Sequence, residues 1–275
     1  MTSPTNEQKK VMMQQAFDLV ADGYDNDSMR FFHSSAKHMV GLLGLKGDEK
    51  VLDVNTGTGA VALALAEHLP EGEITGIDLS QGMLNQAALK ARQNGFKQIT
   101  LLQMDMEKLA FPDQTFDVIT CGFGLFFIED MVSCLRNMKS KLKPKGKLVL
   151  TSFAEGAFEP WTTLAMDKLL NLGLQIPESL SWQRLQNEDL HQKLFSDASF
   201  SVSNTEQKPM GYFLEDEKSW FDILWFSGFR GLLNQLSEPD LKTFKNEHLT
   251  EIAQHKTDQG LKLTVDILFS VGIND

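Results

Sequence analysis

The stretch Val51-Leu-Asp-Val-Asn-Thr-Gly-Thr-Gly59 decides the fold of this chain. Its first four residues form the apolar run of a buried strand, which the charge of Asp53 interrupts. Gly57 and Gly59 predict a tight turn ahead of the helical sequence Ala60 to His68. A glycine turn lets a ligand approach the backbone, and the start of a helix offers free N–H groups. The stretch therefore predicts a site for a nucleotide-like ligand.

Composition limits the partners of the 275-residue chain. It has 26 basic and 37 acidic residues and a formal net charge of -11, which repels nucleic acids and anionic membranes, so we expect neither as a partner. Cys121 and Cys134 lack metal-ligand spacing and predict buried thiols, with no metal site. We expect neither a signal peptide nor a membrane-spanning segment, because residues 1–10 are polar and no later apolar run approaches membrane-spanning length. We expect a cytoplasmic protein that is a monomer or a homodimer.

Strands and helices alternate five times after an N-terminal helical region, which predicts an α/β fold with a parallel sheet covered on both faces. The periodicity predicts N-terminal helices over 7–29 and 31–43 and strands over 51–54, 73–78, 99–103, 116–121 and 147–153. We interpret residues 1–275 as one domain. Its predicted parts are an N-terminal helical cap (1–45), a ligand-binding core (46–153), a lid and helical insert (154–262) and a final strand (263–275).

Carboxylates at the ends of three successive strands narrow the choice of ligand. The glycine turn and Asp78 would suit a dinucleotide or an adenosyl ligand equally, because Asp78 could accept both ribose hydroxyls of either. Asp53, just before the turn, would repel a pyrophosphate and attract an ammonium group. Asp105 could accept a hydrogen bond from the adenine amine, with Met83 and Met106 against the ring faces. The pattern favours adenosine with an amino-acid tail.

The chain resembles the class I S-adenosylmethionine-dependent methyltransferases from about Tyr24 to Phe153. The motifs that carry the resemblance are Val51 to Gly59, Gly76-Ile-Asp-Leu-Ser80 with Met83, Met104-Asp-Met106, Phe116-Asp117 and Leu142-Lys-Pro-Lys-Gly-Lys-Leu148. Within that superfamily, Phe116 to Leu125, which ends in Gly-Phe-Gly-Leu, is similar to the ubiquinone and menaquinone biosynthesis C-methyltransferases. The resemblance implies a Rossmann-like sheet of seven strands, with a reversed last strand at Thr264 to Val271.

The resemblance also implies S-adenosylmethionine as the cofactor and S-adenosylhomocysteine as its product. Family members hold the methionine part at the acidic residue and glycine turn, the ribose at Asp78, the adenine at Asp105 and Met106, and the sulfonium near Cys121. Tyr24 matches a tyrosine that closes over the cofactor. The predicted cofactor contacts are Tyr24, Asp53, Asn55, Gly57, Gly59, Asp78, Leu79, Met83, Asp105, Met106, Cys121 and Gly122.

Two departures from the family pattern bear on the site. Asn55 stands where glycine or alanine is usual, and asparagine tolerates unusual backbone angles, so the turn is retained and the side chain can touch the cofactor. Phe126-Phe127 stands where quinone-modifying relatives tend to carry Arg-Asn, which counts against a quinone substrate.

The expected acceptor is a small, fairly apolar molecule, because aromatic residues follow the fourth strand and recur near residue 225. The candidate substrate contacts are Phe123, Phe126, Phe127 and Trp225. His33 is the candidate general base, against a packing role. Two alternatives remain: a protein that binds the cofactor for a regulatory or different chemical role, and a nicotinamide-dependent oxidoreductase.

Overall fold

The computed structural model describes residues 5–176 and 180–275. Residues 1–4 and 177–179, which fall within the predicted cap and lid, lie outside the described residues. The helices are α1 (Asn6–Val20), α2 (Phe31–Gly41), α3 (Ala60–Ala66), α4 (Gln81–Gln93), α5 (Met131–Lys141), α6 (Trp161–Asn171), α7 (Glu188–Asp197), α8 (Glu217–Trp225), α9 (Arg230–Leu233) and α10 (Glu238–Ala253). The strands are β1 (Lys50–Val54), β2 (Glu73–Asp78), β3 (Ile99–Gln103), β4 (Phe116–Gly122), β5 (Leu142–Phe153), β6 (Ser201–Pro209), β7 (Tyr212–Leu214), β8 (Leu261–Leu263) and β9 (Asp266–Ile273).

Seven strands form one sheet in the order β3-β2-β1-β4-β5-β9-β6. The strands from β3 to β5 are parallel, and β9 runs antiparallel to both of its neighbours. The predicted seven-stranded, Rossmann-like sheet with a reversed last strand is confirmed. Strands β7 and β8 form a separate antiparallel pair. The order reverses next to β1, so the ends of β1 and β4 flank the crevice in which such sheets bind ligands.

The central strands consist of buried apolar residues because both faces of the sheet are covered. Val51, Leu52 and Val54 of β1 are fully buried, and so are Ile119 and Cys121 of β4. Uninterrupted apolar runs are typical of parallel strands with helices on both sides. Strands β2 and β3 begin and end at the predicted residues.

The N-terminal helix ends earlier than its sequence predicts. We expected a helix over 7–29, but α1 ends at Val20 and is followed by 3-10 turns at Ala21–Gly23 and Asp27–Met29. Gly23 packs directly against a ring, since a Cβ at this position would lie 2.2 Å from a ring carbon of Phe226. The residue that it contacts lies about two hundred positions away in the sequence.

The segment predicted as lid and helical insert supplies an edge strand as well as helices. β6 pairs with β9 at one edge of the sheet, while α10 packs on α6 and α8 outside it. Among the described residues, none of the helices has the length and apolarity needed to cross a lipid bilayer.

Candidate active site

Asp53 supports the glycine turn from behind. The residue is 1% exposed, and its carboxylate accepts hydrogen bonds from Thr56 Oγ1 at 2.6 Å and Thr120 Oγ1 at 2.7 Å. Burial raises the pKa of Asp53 to about 6, although these hydrogen bonds lower it. Asp53 lines neither of the cavities described below; its hydrogen bonds hold the turn, and its contact with the ammonium group of the cofactor stays a prediction.

The turn itself uses left-handed backbone at three positions. Asn55, Gly57 and Gly59 have φ values of 59°, 56° and 88°. Gly57 leaves open space above the backbone, whereas a Cβ on Gly59 would come within 3.0 Å of Ala87 Cβ on α4. Gly57 therefore faces the cavity, and Gly59 permits close packing of the turn on α4.

Asn55 lies at the centre of the site. A Cβ added to Gly124 would lie 2.6 Å from Asn55 Cγ, so the amide occupies the space above the loop that follows β4. Asparagine is one of the few residues besides glycine that adopt this backbone conformation readily. Asn55, which departs from the family pattern, therefore contributes a polar side chain to the walls of both cavities.

Asp78 connects the turn to the end of β2. Its two carboxylate oxygens accept hydrogen bonds from the backbone N–H groups of Gly57 and Ser80, each at 2.9 Å. The residue is 8% exposed, and burial raises its pKa against the effect of these bonds. A carboxylate has more acceptor sites than these two bonds use, so Asp78 can also accept hydrogen bonds from a diol.

Two adjacent cavities open at the carboxyl ends of the strands. They share Phe17, Asn55, Asp78 and Phe127. The small cavity is otherwise lined by Met13, Gln14, Ile77, Leu79, Ser80, Met104, Met106 and Ile128. The large cavity is lined mainly by aromatic side chains: Tyr24, Phe31, Phe32, Phe123, Phe126, Phe153, Phe158, Trp182 and Phe229. Within the described parts of the chain, no lysine, arginine or histidine lines either cavity.

Most of the predicted site residues meet at these cavities. Those that line one or both are Tyr24, Asn55, Gly57, Asp78, Leu79, Met83, Met106, Gly122, Phe123, Phe126 and Phe127. The ring of Tyr24 stacks on Phe32 with 5.3 Å between centroids, and burial raises the pKa of its hydroxyl. Tyr24 therefore remains protonated at neutral pH and can donate a hydrogen bond into the large cavity.

Asp105 lies at the end of β3, as predicted, but its carboxylate already has partners. Lys10 Nζ of α1 lies 2.6 Å from one oxygen, and the backbone N–H of Glu107 donates to the other at 2.9 Å. Lys10 also forms an ion pair with the Glu107 carboxylate. Asp105 does not line the small cavity, and its ion pair with Lys10 ties α1 to the end of β3; its contact with an adenine amine stays a prediction.

Three other predicted residues lie away from the cavities. Cys121 is fully buried beneath the sheet end. Trp225 packs under Arg230, whose guanidinium carbon is 3.3 Å from the indole centroid. His33 is exposed and lines neither cavity, so its role as general base stays a prediction that the cavity lining does not support.

Several cavity residues were not predicted from the sequence. Phe17 on α1 borders both cavities, and Trp182 lines the large one; Phe229 also lines the large cavity and belongs to the aromatic cluster near residue 225 from which the sequence predicts substrate contacts. The N-terminal segment did carry a signal, because three aspartates recur at intervals of four and three residues on one face. They accept hydrogen bonds from the turn and from α4: Asp18 from Ser80 and Gly82, Asp22 from Gln86, and Asp25 from Thr58 and Lys90.

The sequence profile of the ubiE/COQ5 methyltransferase family matches residues 3–168, which is more than half of the chain. This chain belongs to that family. Membership confirms the recognition made from the motifs between Tyr24 and Phe153, and with it S-adenosylmethionine as the cofactor.

Two relatives within the ubiE/COQ5 methyltransferase family carry names that concern quinones. Demethylmenaquinone methyltransferase of Anoxybacillus flavithermus is 36% identical over 146 residues, which cover 51% of this chain and 62% of the relative. Ubiquinone/menaquinone biosynthesis C-methyltransferase UbiE of Cronobacter sakazakii is 37% identical over 160 residues, which cover 56% of this chain and 64% of the relative. The matches thus span less than two thirds of each relative's length.

The fold has a solved counterpart over most of this ubiE/COQ5 family member. A putative methyltransferase from Bacillus halodurans superposes with a TM-score of 0.60 at 20% identity, covering 88% of this chain and 99% of that one. At this identity the likeness concerns the fold alone.

Proposed function

We propose that the protein transfers the methyl group of S-adenosylmethionine to a small, uncharged and largely apolar molecule. The observation that carries the proposal is the junction of the two cavities. A small cavity with three methionines meets a large aromatic cavity at Asn55 and Asp78. A cofactor that spans this junction would have its adenosine on one side and its methyl group facing the other.

The residues of the small cavity fit the cofactor. Asp78 has free acceptor capacity for the ribose hydroxyls, and Met104 and Met106 offer polarizable contacts to the adenine ring. Gly57 leaves open space beside the turn for the methionine part. When bound, the cofactor supplies the electrophilic methyl group on its sulfonium.

The protein's own contribution is to align the acceptor and to exclude water. Methyl transfer from a sulfonium is an in-line displacement, whose rate depends strongly on the position of the attacking atom. The aromatic walls of the large cavity hold an apolar acceptor, and the Tyr24 hydroxyl can orient one of its polar atoms.

The charge of the large cavity favours a neutral acceptor. Asp25 and Asp78 lie at its wall, and the described chain contributes no cationic side chain to it. An anionic acceptor would find no partner there and would be repelled. Phe126 and Phe127 both line the cavity, in place of the polar pair expected for quinone-modifying relatives. Demethylmenaquinone, named for one relative, is therefore one probe among several neutral aromatic compounds.

We also propose that the helical parts of residues 1–45 and 154–262 form a mobile cover, while β6 within the second range stays paired with β9 in the sheet. Phe17 and Tyr24 of the first segment and Trp182 and Phe229 of the second line the large cavity, so ligands must displace part of this cover to enter. We further propose a cytoplasmic monomer or homodimer without a nucleic-acid or membrane partner; the net charge of -11 supports the last point, because it repels both kinds of anionic partner.

The test is transfer of label from methyl-labelled S-adenosylmethionine. The protein is incubated with the labelled cofactor and either a cell extract or demethylmenaquinone, and the label is traced to small molecules or to protein. We expect label on a small molecule that extracts into organic solvent. Label on protein would contradict the proposed acceptor class. Cofactor binding without transfer to any fraction would instead favour a different reaction or a regulatory role, which the fold permits.

A further inference from the structure

The large cavity contains two buried hydroxyl groups without a partner. Ser35 is 1% exposed, Thr151 is completely buried, and both residues line the cavity. Neither hydroxyl oxygen has a hydrogen-bond partner in residues 5–176 or 180–275. Buried polar atoms in proteins are nearly always paired with protein, water or ligand, because leaving them unpaired destabilises the fold. These two hydroxyls are therefore candidates for binding a ligand.

Thr151 lies close to the strand end at which the cofactor's methyl group is expected. It is the register partner of Gly122, and a Cβ on Gly122 would be 3.7 Å from Thr151 Oγ1 and 3.8 Å from Met39 Cε. Met39 follows Ser35 by one turn of α2 and lies on the same face. The strand and the helix thus present one hydroxyl each to the same region.

The surroundings of the two hydroxyls define the rest of the ligand. Phe31, Phe32 and Phe153 line the same cavity, and their rings contact one another at centroid distances of 4.3 to 6.4 Å. Aromatic walls of this kind favour flat apolar molecules. A hydroxyl group both donates and accepts a hydrogen bond, so the pair can bind either a hydroxyl or a carbonyl oxygen.

We propose that Ser35 and Thr151 form a polar subsite that binds one oxygen atom of an uncharged aromatic acceptor. The ligand's role as methyl acceptor rests on the proposed function, whereas the subsite itself rests on the cavity and its unpaired hydroxyls. An aromatic compound without the oxygen leaves both hydroxyls unpaired, which is the source of selectivity.

The test compares 2-naphthol with naphthalene, which has the same rings and lacks the oxygen. Equilibrium dialysis measures the affinity of both compounds for the protein, free and in complex with S-adenosylhomocysteine. The wild type is expected to prefer 2-naphthol. An apolar cavity without a polar subsite would prefer naphthalene, because the naphthol hydroxyl would lose its hydration without compensation.

The variants are Ser35→Ala, Thr151→Val and the double variant. Each single change is expected to weaken 2-naphthol binding roughly 3- to 10-fold, as for one hydrogen bond, and to leave naphthalene binding unchanged. Thr162→Val is the matched control, because Thr162 is 4% exposed and its hydroxyl is also unpaired within the described chain, but it does not line the cavity. It should change neither affinity.

Thermal unfolding separates a binding role from a structural one. Removing an unpaired buried hydroxyl should leave the Tm unchanged or raise it in all three positions. The proposal is overturned if the wild type prefers naphthalene, if the double variant keeps the wild-type preference, or if the loss of binding follows a loss of Tm. Failure to bind S-adenosylhomocysteine would contradict the proposed function but not the subsite. The preference of the cofactor-free protein for 2-naphthol over naphthalene still tests whether the subsite exists.

Discussion

Replacement of Arg184 by alanine is expected to loosen the wall of the large cavity that carries Phe126 and Phe127. Arg184 follows Trp182 in the 3-10 turn Ser181–Leu185. Its guanidinium donates to the carbonyl oxygens of Phe126 at 3.0 Å, Ile128 at 2.6 Å and Glu129 at 3.0 Å. One side chain thus ties the proposed lid to the loop after β4.

The expected loss in the free energy of unfolding follows from these three hydrogen bonds. A hydrogen bond from a charged donor contributes roughly 1.5–3 kcal/mol when buried. Arg184 is only half-buried, so water would replace part of what the variant loses, and we expect a total loss of about 2–3 kcal/mol. Arg184→Lys should recover only part of it, because lysine cannot reach several carbonyls with a fixed fork of donors.

Urea unfolding at pH 7 measures the loss, and Arg136→Ala is the matched control. Arg136 is exposed and donates one hydrogen bond, to the Asp197 carbonyl at 2.5 Å, far from the cavities. The KM for any acceptor should rise in Arg184→Ala, and affinity for S-adenosylhomocysteine should also fall, because Phe127 and Ile128 of the loosened loop line the small cavity. A loss of free energy no larger than that of Arg136→Ala, or a fall in cofactor affinity with an unchanged acceptor KM, would refute this reasoning.

Two further predictions concern pH and the junction of the cavities. His191 and His248 are fully buried, and burial lowers the pKa of each to about 4. Unfolding exposes both rings and therefore takes up protons below about pH 6.5. The free energy of unfolding should fall by roughly 2 kcal/mol per histidine between pH 7 and pH 5. Urea unfolding at both pH values checks this, and His248→Gln should reduce the difference whereas His68→Gln, at an exposed site, should not. Gly124→Ala would bring a Cβ within 2.6 Å of Asn55 Cγ. The variant should still fold, and calorimetry should show S-adenosylhomocysteine binding weakened by about tenfold or more. Unchanged affinity would show that Asn55 is not a cofactor contact.

The fold was predictable wherever one element's own residues determine it. Strands β2 and β3 were predicted to the residue, because an apolar run between polar turns marks both ends. The end of α1 was not, since it depends on Gly23 packing against Phe226, a contact that local periodicity does not contain. Strand β5 likewise begins at Leu142, ahead of the predicted strand over 147–153, because Leu142 pairs with Phe116 of β4.

The site was predictable where backbone geometry places the residue. Asn55, Gly57 and Asp78 follow directly from the strand ends and the turn. Asp105 also lies at a strand end, but its partner Lys10 is 95 positions away in the sequence, so the ion pair could not be foreseen. The same applies to Trp182, which reaches the cavity only through the packing of the lid segment.

Calorimetric titration with S-adenosylmethionine and with NADH tests the central claim, that the two cavities meeting at Asp78 form a cofactor and acceptor site. The account predicts binding of S-adenosylmethionine to the wild type and to Asp48→Ala, an exposed carboxylate remote from both cavities, and its loss in Asp78→Ala. Circular dichroism confirms that the variants fold. Tight binding of NADH in place of S-adenosylmethionine, or undiminished binding of S-adenosylmethionine by Asp78→Ala, would contradict the account.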